Sequence, residues 1–455
     1  MKKLTKAAAA AMAAAMALSL AACGGDGASS GTEGANASGE TAGKKLVVWT
    51  LSNDLKQFAE HYTEVTGNEV EVVVYDSADY VSKVTPSLGA QSSDVDVFVG
   101  EPQMMPNFYE AGFCADLSEL KDEADEKLVS YVVEAGTDSD GVLRALSYQG
   151  TPGSVIYRRD IAQAVWGTDD PEEIGKKFES FEAIENTAAE LKAAGYSIFG
   201  DTGALRWFSI SDHAWVEDGK VIVDDARDQY FDTAVNIYQN DEVANAPEWS
   251  APWYNSMAGA LPVLGADADV WGTDADALQE MIDSGSATTE VFSYVMPSWG
   301  ALIVRDNAGD NKGKFGLCSG PCSFFGGGTF LAVNEFSENK EAAMDFIKFV
   351  TLNEETSQWW LEASEGDVVS MKSVLEANKD YENPSFGNQK TYAFYMDELE
   401  KIDYSKITGY DDACKDAFGA AIVSVQKGEA TKEDAMKTFY ETVKNTYPEL
   451  EVPAE

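Results

Sequence analysis

The chain has 455 residues, 78 of them acidic and 33 basic, for a formal net charge of −45. That charge repels nucleic-acid phosphates and anionic headgroups and argues against nucleic acid as a partner. Only two histidines occur, His61 and His213, which argues against a histidine-rich metal centre or a His-based catalytic triad; no metal or organic cofactor is expected.

Lys2, Lys3 and Lys6 precede an apolar run over residues 7–22, the charged and apolar regions of a secretory signal spanning residues 1–22. At about 1.5 Å per residue the run is too short to cross ~30 Å of hydrocarbon comfortably as a permanent span. Leu20-Ala21-Ala22-Cys23 resembles the bacterial lipobox, in which the cysteine is lipidated and becomes the new N-terminus. A plain signal peptide cut nearby, or a buried alanine-rich helix, are the alternatives. Residues 24–43 hold no aliphatic residue larger than alanine and no aromatic. They cannot bury enough surface to offset ordering, so residues 23–44 read as a lipidated cysteine and a disordered tether, roughly 25 Å end to end. Loss of residues 1–22, with three lysines and no acid, takes the charge from −45 to −48. No second run of eighteen apolar residues follows, so the expected body is soluble and meets the membrane through its lipid anchor only.

Residues 45–50 (KLVVWT) read as a buried strand, followed by a helix that Asn53 or Asp54 can cap. Leu55, Phe58, Ala59, Tyr62 and Val65 form its apolar stripe, and Gly67 stops it. Residues 69–75 (EVEVVVY) are a second strand. Val81, Val84 and Leu88 mark a second helix, and residues 95–99 (VDVFV) a third strand. Alternation of this kind predicts a parallel, doubly wound sheet, with ligands beyond the carboxyl ends of the strands. The rule selects 51–54 and 100–103 as cleft-facing loops. A second block begins near Ser147, with a strand at 154–157 and a helix capped by Ser180. Eight aromatics follow in irregular sequence: Trp207, Phe208, Trp215, Trp249, Trp253, Tyr254, Trp271 and Trp299. Most read as packing. Asp267 and Asp269 suggest a calcium loop, but Trp271 and Leu278 stand where two ligands are required, and an acidic surface turn is the better reading.

Residues 316–333 (GLCSGPCSFFGGGTFLAV) place three glycines beside two phenylalanines, allowing close backbone approach and positive φ. Beyond them Ser337 caps a long helix, and the chain ends in helices, the last with the capping signature Thr431–Asp434. Cys114, Cys318, Cys322 and Cys414 permit three full pairings in an exported protein. The spacing of Cys318 and Cys322 slightly favours a local disulfide between them; free buried thiols are the alternative.

LVVWT, DVDVFVGE, YQGTPGSVIYRRD, SYVMPSWG, GPCSFFGGGTFLAV, NKEAAMDFIKFVT and GDVVS occur in that order. Together they resemble the extracytoplasmic solute-binding proteins of ABC importers, of the maltose-binding type (family 1), over residues 45–448. The resemblance implies an α/β, two-lobed periplasmic-binding-protein type II fold, each lobe a mainly parallel sheet flanked by helices. The first lobe would hold 45–148 and 326–368, the second 152–318 and 374–448, with a hinge near 149–151, 319–325 and 369–373. It implies a carbohydrate, an oligosaccharide, bound outside the cell without catalysis and delivered by a monomer to the permease subunits of an importer. The candidate ligand-binding residues are Asn53, Glu101, Gln103, Trp249, Trp253, Trp299 and Phe325, with Trp299 the leading aromatic. Neither the Cys318–Cys322 spacing nor the acidic stretch around Asp267 belongs to that family pattern. Rival readings are a binding protein for a polyamine or peptide, and an exported glycoside hydrolase, which needs only two suitably spaced carboxylates.

Overall fold

Strand β1 (Leu46–Thr50) leads into helix Asp54–Thr66, strand β2 (Val70–Val74), helix Ser77–Gly89 and strand β3 (Val97–Gly100), the alternation that the periodicity predicts. The computed structural model describes residues 45–210, 213–265 and 268–453; the expected signal, Cys23 and the linker lie outside the described residues. Leu55, Phe58, Ala59 and Tyr62 are buried on the first helix, and Gly67 ends it in left-handed backbone at φ 78°, its N–H donating to the Thr63 carbonyl. Val65 continues the stripe in sequence but lies 61% exposed, because it sits in the helix's last turn. No helix among the described residues is long and apolar enough to cross a membrane.

The remaining strands are β4 (Leu146–Ser147), β5 (Gly153–Arg158), the short pairs β6 (Val216–Glu217) with β7 (Lys220–Val221) and β8 (Leu261–Pro262) with β9 (Thr288–Thr289), then β10 (Ser293–Pro297), β11 (Phe315–Cys318) and β12 (Phe330–Val333). Two sheets organise the body. The first has the order β2-β1-β3-β12-β4 and the second β10-β5-β11. β1 is parallel to β2 and β3, whereas β12 runs antiparallel to both β3 and β4. In the second sheet β5 is antiparallel to both neighbours, so the expected mainly parallel character is corrected there. β10 and β11 are the parallel arms of a strand–helix–strand crossover through helix Ser298–Asn307; β5 enters from the first sheet and is slotted between them the other way. Its side chains alternate. Val155 and Tyr157 face one apolar core, with Ile161, Phe178 and Phe292, while Ile156 joins the core shared with the first sheet.

Residues 148–152 carry the chain from β4 to β5, and residues 319–329 carry it back from β11 to β12. A third passage, between helices Glu354–Ala363 and Lys372–Asn378, runs beside them. The three are joined by backbone bonds: Gly150 N–H to Val368 O (2.8 Å), Gly153 N–H to Phe324 O (2.7 Å) and Ser370 N–H to Tyr148 O (2.8 Å). Buried Asp367 adds a side-chain tie, accepting from Gln149 Nε2 at 2.8 Å and Trp360 Nε1 at 2.9 Å.

The cysteine expectation is corrected. Cys318 and Cys322 are both free thiols, as are Cys114 and Cys414. Cys318 ends β11 opposite Val155 with its side chain buried in the second core. The turn after it is held by a carboxylate instead: buried Glu398 accepts from Ser319 Oγ (2.6 Å) and Ser323 Oγ (3.0 Å). Burial, with the Glu398 charge adding to it, pushes the Cys322 thiol up to about 12, which makes it a poor nucleophile for exchange.

Where the chain crosses between sheets there is no room for a side chain. A Cβ on Gly153 would fall 2.2 Å from the buried ring of Phe324. Gly153→Ala should therefore destabilise the protein by about 1–3 kcal/mol through overpacking; an unchanged urea midpoint would contradict this packing.

Candidate functional site

Past the end of β3 the chain turns through Glu101, Pro102 and Gln103, which line a cavity of about 820 Å³. The position is the one where parallel strands leave backbone free to meet a ligand. The other walls come from the 3-10 helix Thr202–Ser209, from Trp299 just after β10, from the connector residues Phe325, Gly326 and Gly327, and from one face of helix Asp411–Gln426.

The glycine run fits the backbone to two indoles. A Cβ on Gly326 would lie 2.1 Å from the Trp207 ring, and Gly327, at φ 65°, would bring one to 3.2 Å from Trp299 Nε1. Trp299 Nε1 donates to the Gly326 carbonyl at 2.9 Å, which fixes the indole plane against the cavity. Trp207 lies nearly parallel to Phe324, centroids 5.6 Å apart at 24°. Its other neighbour is the Arg206 guanidinium, 4.6 Å from the ring centroid. Phe325 packs between Tyr131 at 5.2 Å and Tyr404 at 5.9 Å. Tyr404 also donates its hydroxyl to the Pro102 carbonyl at 3.0 Å, a contact between the β3 loop and the C-terminal segment.

Of the seven residues selected from sequence, Glu101, Gln103, Trp299 and Phe325 line this cavity. Trp249 stands beside it, 46% exposed, its ring 6.0 Å from that of Trp299 and tilted by 17°. It holds φ 70°, costly backbone for a bulky residue. Trp253 does not belong to the site: it is 2% exposed and packs behind Trp249 and against Tyr294. Position on an amphipathic helix, inward side, accounts for that. Asn53 is also outside the cavity, exposed at the start of helix Asp54–Thr66 with its Oδ1 accepting from Lys56 Nζ. Trp49 is half-buried and edge-on to Tyr75. Asp269 caps the Gly272 N–H, as an acidic turn should, while Asp267 lies outside the described residues.

Sequence reasoning missed Asp201, Tyr230, Asn245, Asp412 and Gln426. Asp201-Thr-Gly carried a legible signal, an acceptor before a helical turn, and the Asp201 carboxylate accepts from Gly203 N–H at 2.8 Å. Asp412, Asp416, Gly419 and Val423 recur at helical spacing on the face opposite buried Cys414, Phe418 and Ala421; in sequence that stripe reads as an ordinary solvated face. A larger groove, about 1110 Å³, runs along helix Glu354–Ala363. Its Glu123 is satisfied by Lys127 at 2.7 Å and Lys348 at 2.8 Å, so convergence of unsatisfied groups favours the smaller cavity.

The model of the bacterial extracellular solute-binding proteins matches residues 57–388, well over half of the chain. The chain belongs to that family. A crystal structure titled extracellular solute-binding protein family 1 superposes with a TM-score of 0.70 at 18% identity, covering 88% of this chain and 99% of that one. The ABC-transporter-associated binding protein of B. animalis subsp. lactis, in complex with β-1,6-galactobiose, gives 0.64 at 18% identity over 90% and 100%. Maltose-bound MalE3 of T. maritima gives 0.64 at 18% over 88% and 99%. At such identities the likeness is one of fold, α/β and two-lobed. No curated protein sequence matches the chain significantly.

In the cleft of this solute-binding protein burial outweighs the groups that would relieve its carboxylates. Burial pushes Glu101 above the usual carboxylate range, opposed by the Gln103 hydrogen bond (2.6 Å) and reinforced by the charge of Asp412 from the facing helix. Burial likewise pushes Asp201 up to about 6, against the Gly203 N–H, with Glu248 raising it and Arg206 lowering it. Because Asp201 titrates higher folded than unfolded, its contribution to stability is full below about pH 4 and is lost as pH rises through 6. Asp201→Asn should therefore remove a fall in unliganded stability of up to ~3 kcal/mol between pH 4 and pH 7, seen as a flatter profile of urea midpoints against pH. A variant profile as steep as the parent's would contradict the assignment.

Proposed function

We propose that this protein binds a carbohydrate, an oligosaccharide, in the 820 Å³ cleft outside the cell and delivers it to the permease subunits of an ABC importer. The observation that carries this reading is convergence: indole and phenyl faces (Trp207, Trp299, Phe325) and carboxylates outside any ion pair among the described residues (Glu101, Asp201) reach one cavity from loops of both sheets. Sugars present apolar CH faces and hydroxyl donors together, and such a lining meets both. The relatives solved with β-1,6-galactobiose and with maltose support the same class.

In this reading residues 45–148 with 326–368 form one lobe and 152–318 with 374–448 the other. The passages near 149–151, 319–325 and 369–373 bend. A ligand touching both lobes stabilises the closed form by its differential affinity. Closure presents the importer with a shape to recognise, and no turnover is required. The protein acts as a monomer, tethered by lipid on Cys23 after removal of residues 1–22.

Trp299→Ala should weaken binding of the best oligosaccharide from a galactobiose and maltose-type panel tenfold or more, about 1–3 kcal/mol, by calorimetry. Parent-like affinity with a much lower melting temperature would make Trp299 a packing residue and remove it from the site. Separately, Cys23→Ala should release the protein to the medium or leave it unprocessed; normal processing with unchanged membrane retention would refute the anchor.

A further inference from the structure

The cleft holds more unclaimed acceptors than unclaimed donors, and more carboxylates than cations. Gln103 gives one of its two Nε2 hydrogens to Glu101 (2.6 Å), Asn245 gives one Nδ2 hydrogen to the Leu264 carbonyl (2.8 Å), and Gln426 gives both Nε2 hydrogens, to the Ala234 carbonyl and Thr202 Oγ1 (both 2.9 Å). A carbonyl or carboxylate can only accept, so these partners fix the amide orientations and leave each amide oxygen without a partner among the described residues.

Two of the three cations that line the cleft are committed. Arg206 is held in a fork by Glu248 at 2.8 and 2.7 Å, and Lys415 pairs with Asp411 at 3.4 Å. Lys427 is exposed at the rim. Trp299 Nε1 is taken by Gly326, and Trp207 Nε1 is buried with no partner. The hydroxyls of Tyr230, Tyr238 and Thr202 can serve either role.

Against this, Glu101, Asp201, Asp412 and Asp416 line the cavity without forming an ion pair among the described residues. Burial displaces Glu101 and Asp201 upward, and at Asp201 the nearby Arg206 only partly offsets it. Hydroxyls of a neutral sugar would satisfy the acceptors and leave that charge standing. An ammonium would satisfy both, and it would lie well against indole faces.

We propose that the cleft selects a carbohydrate bearing a protonated amine, an amino sugar or aminocyclitol unit, over its neutral counterpart. The proposal rests on the carbohydrate reading above and names the ligand class within it. Three amide side chains with unclaimed oxygens line the same cavity as the carboxylates and ask for several donors at once, which distinguishes a hydroxylated amine from a plain polyamine.

The test uses calorimetry on the purified chain with pairs that differ only in amine for hydroxyl: glucosamine and glucose, galactosamine and galactose, and the β-1,4 glucosamine dimer and cellobiose. Spermidine is the control. In at least one pair the amine should bind about tenfold tighter or more, with a preference that shrinks as salt is raised. Glu101→Gln and, separately, Asp201→Asn should each narrow the ratio within that pair, with melting curves showing that both variants fold. Neutral sugars binding as well as their amines, or no amino sugar binding at all, overturns the charge selection while a sugar response leaves the carbohydrate reading intact. Spermidine binding without any sugar response overturns both.

Discussion

Two stretches of chain pass between the two sheets and a third, between two helices, runs beside them; the hydrogen bonds they make to one another decide which loops can face each other. Gly150 with Val368, Gly153 with Phe324 and Ser370 with Tyr148 knit the passages into a narrow strip, and Asp367 ties Gln149 and Trp360 into it. The segments that form the cleft are far apart in sequence. Glu101, Asp201, Trp299, Phe325 and Asp412 share a cavity because that strip holds the C-terminal end of β3 opposite the helices around the second sheet.

Close approach at the connector serves the site as well as the passage. Gly326 and Gly327 bring backbone against Trp207 and Trp299, and the Gly326 carbonyl anchors the Trp299 indole. The aromatic wall is thereby held by main chain as well as by the rings packed against it. Rigid indoles lose little entropy when a ligand settles on them. The strained backbone at Trp249, supported from behind by buried Trp253, extends this rigidity toward the rim.

The cleft's acids work against the folded state. Asp201 and Glu101 are held where burial disfavours their charge, while most other charges on the protein are exposed or paired, as Arg144 is with Asp138 and Arg158 with Asp160. A binding site that keeps unsatisfied acceptors gives up stability when empty and recovers it when a donor-rich ligand arrives.

Much of the architecture was legible in local pattern. Helical stripes ending at Gly67, the β-branched strands near residues 46, 70 and 97, and the glycine run at 326–328 all follow from periodicity and backbone permissiveness, which are properties of neighbours in sequence. So was part of the site, since Glu101 and Gln103 stand where parallel strands end. Strand direction in the second sheet was not legible, because a strand's own residues carry the same alternation whichever way its partners run; only the return of β5 between β10 and β11 decides it. The fate of the tryptophans was equally hidden. Trp253 and Trp299 are alike in type and in apolar setting, and burial by Tyr294 in one case and exposure to the cavity in the other depend on packing from distant segments. The two cysteines near 320 showed a spacing that a turn could close, yet Glu398, some 75 residues on, closes it instead. Sequence alone determined the elements and one loop of the cleft; tertiary structure chose the rest, because acceptors, charges and ring faces converge only once the crossings are in place.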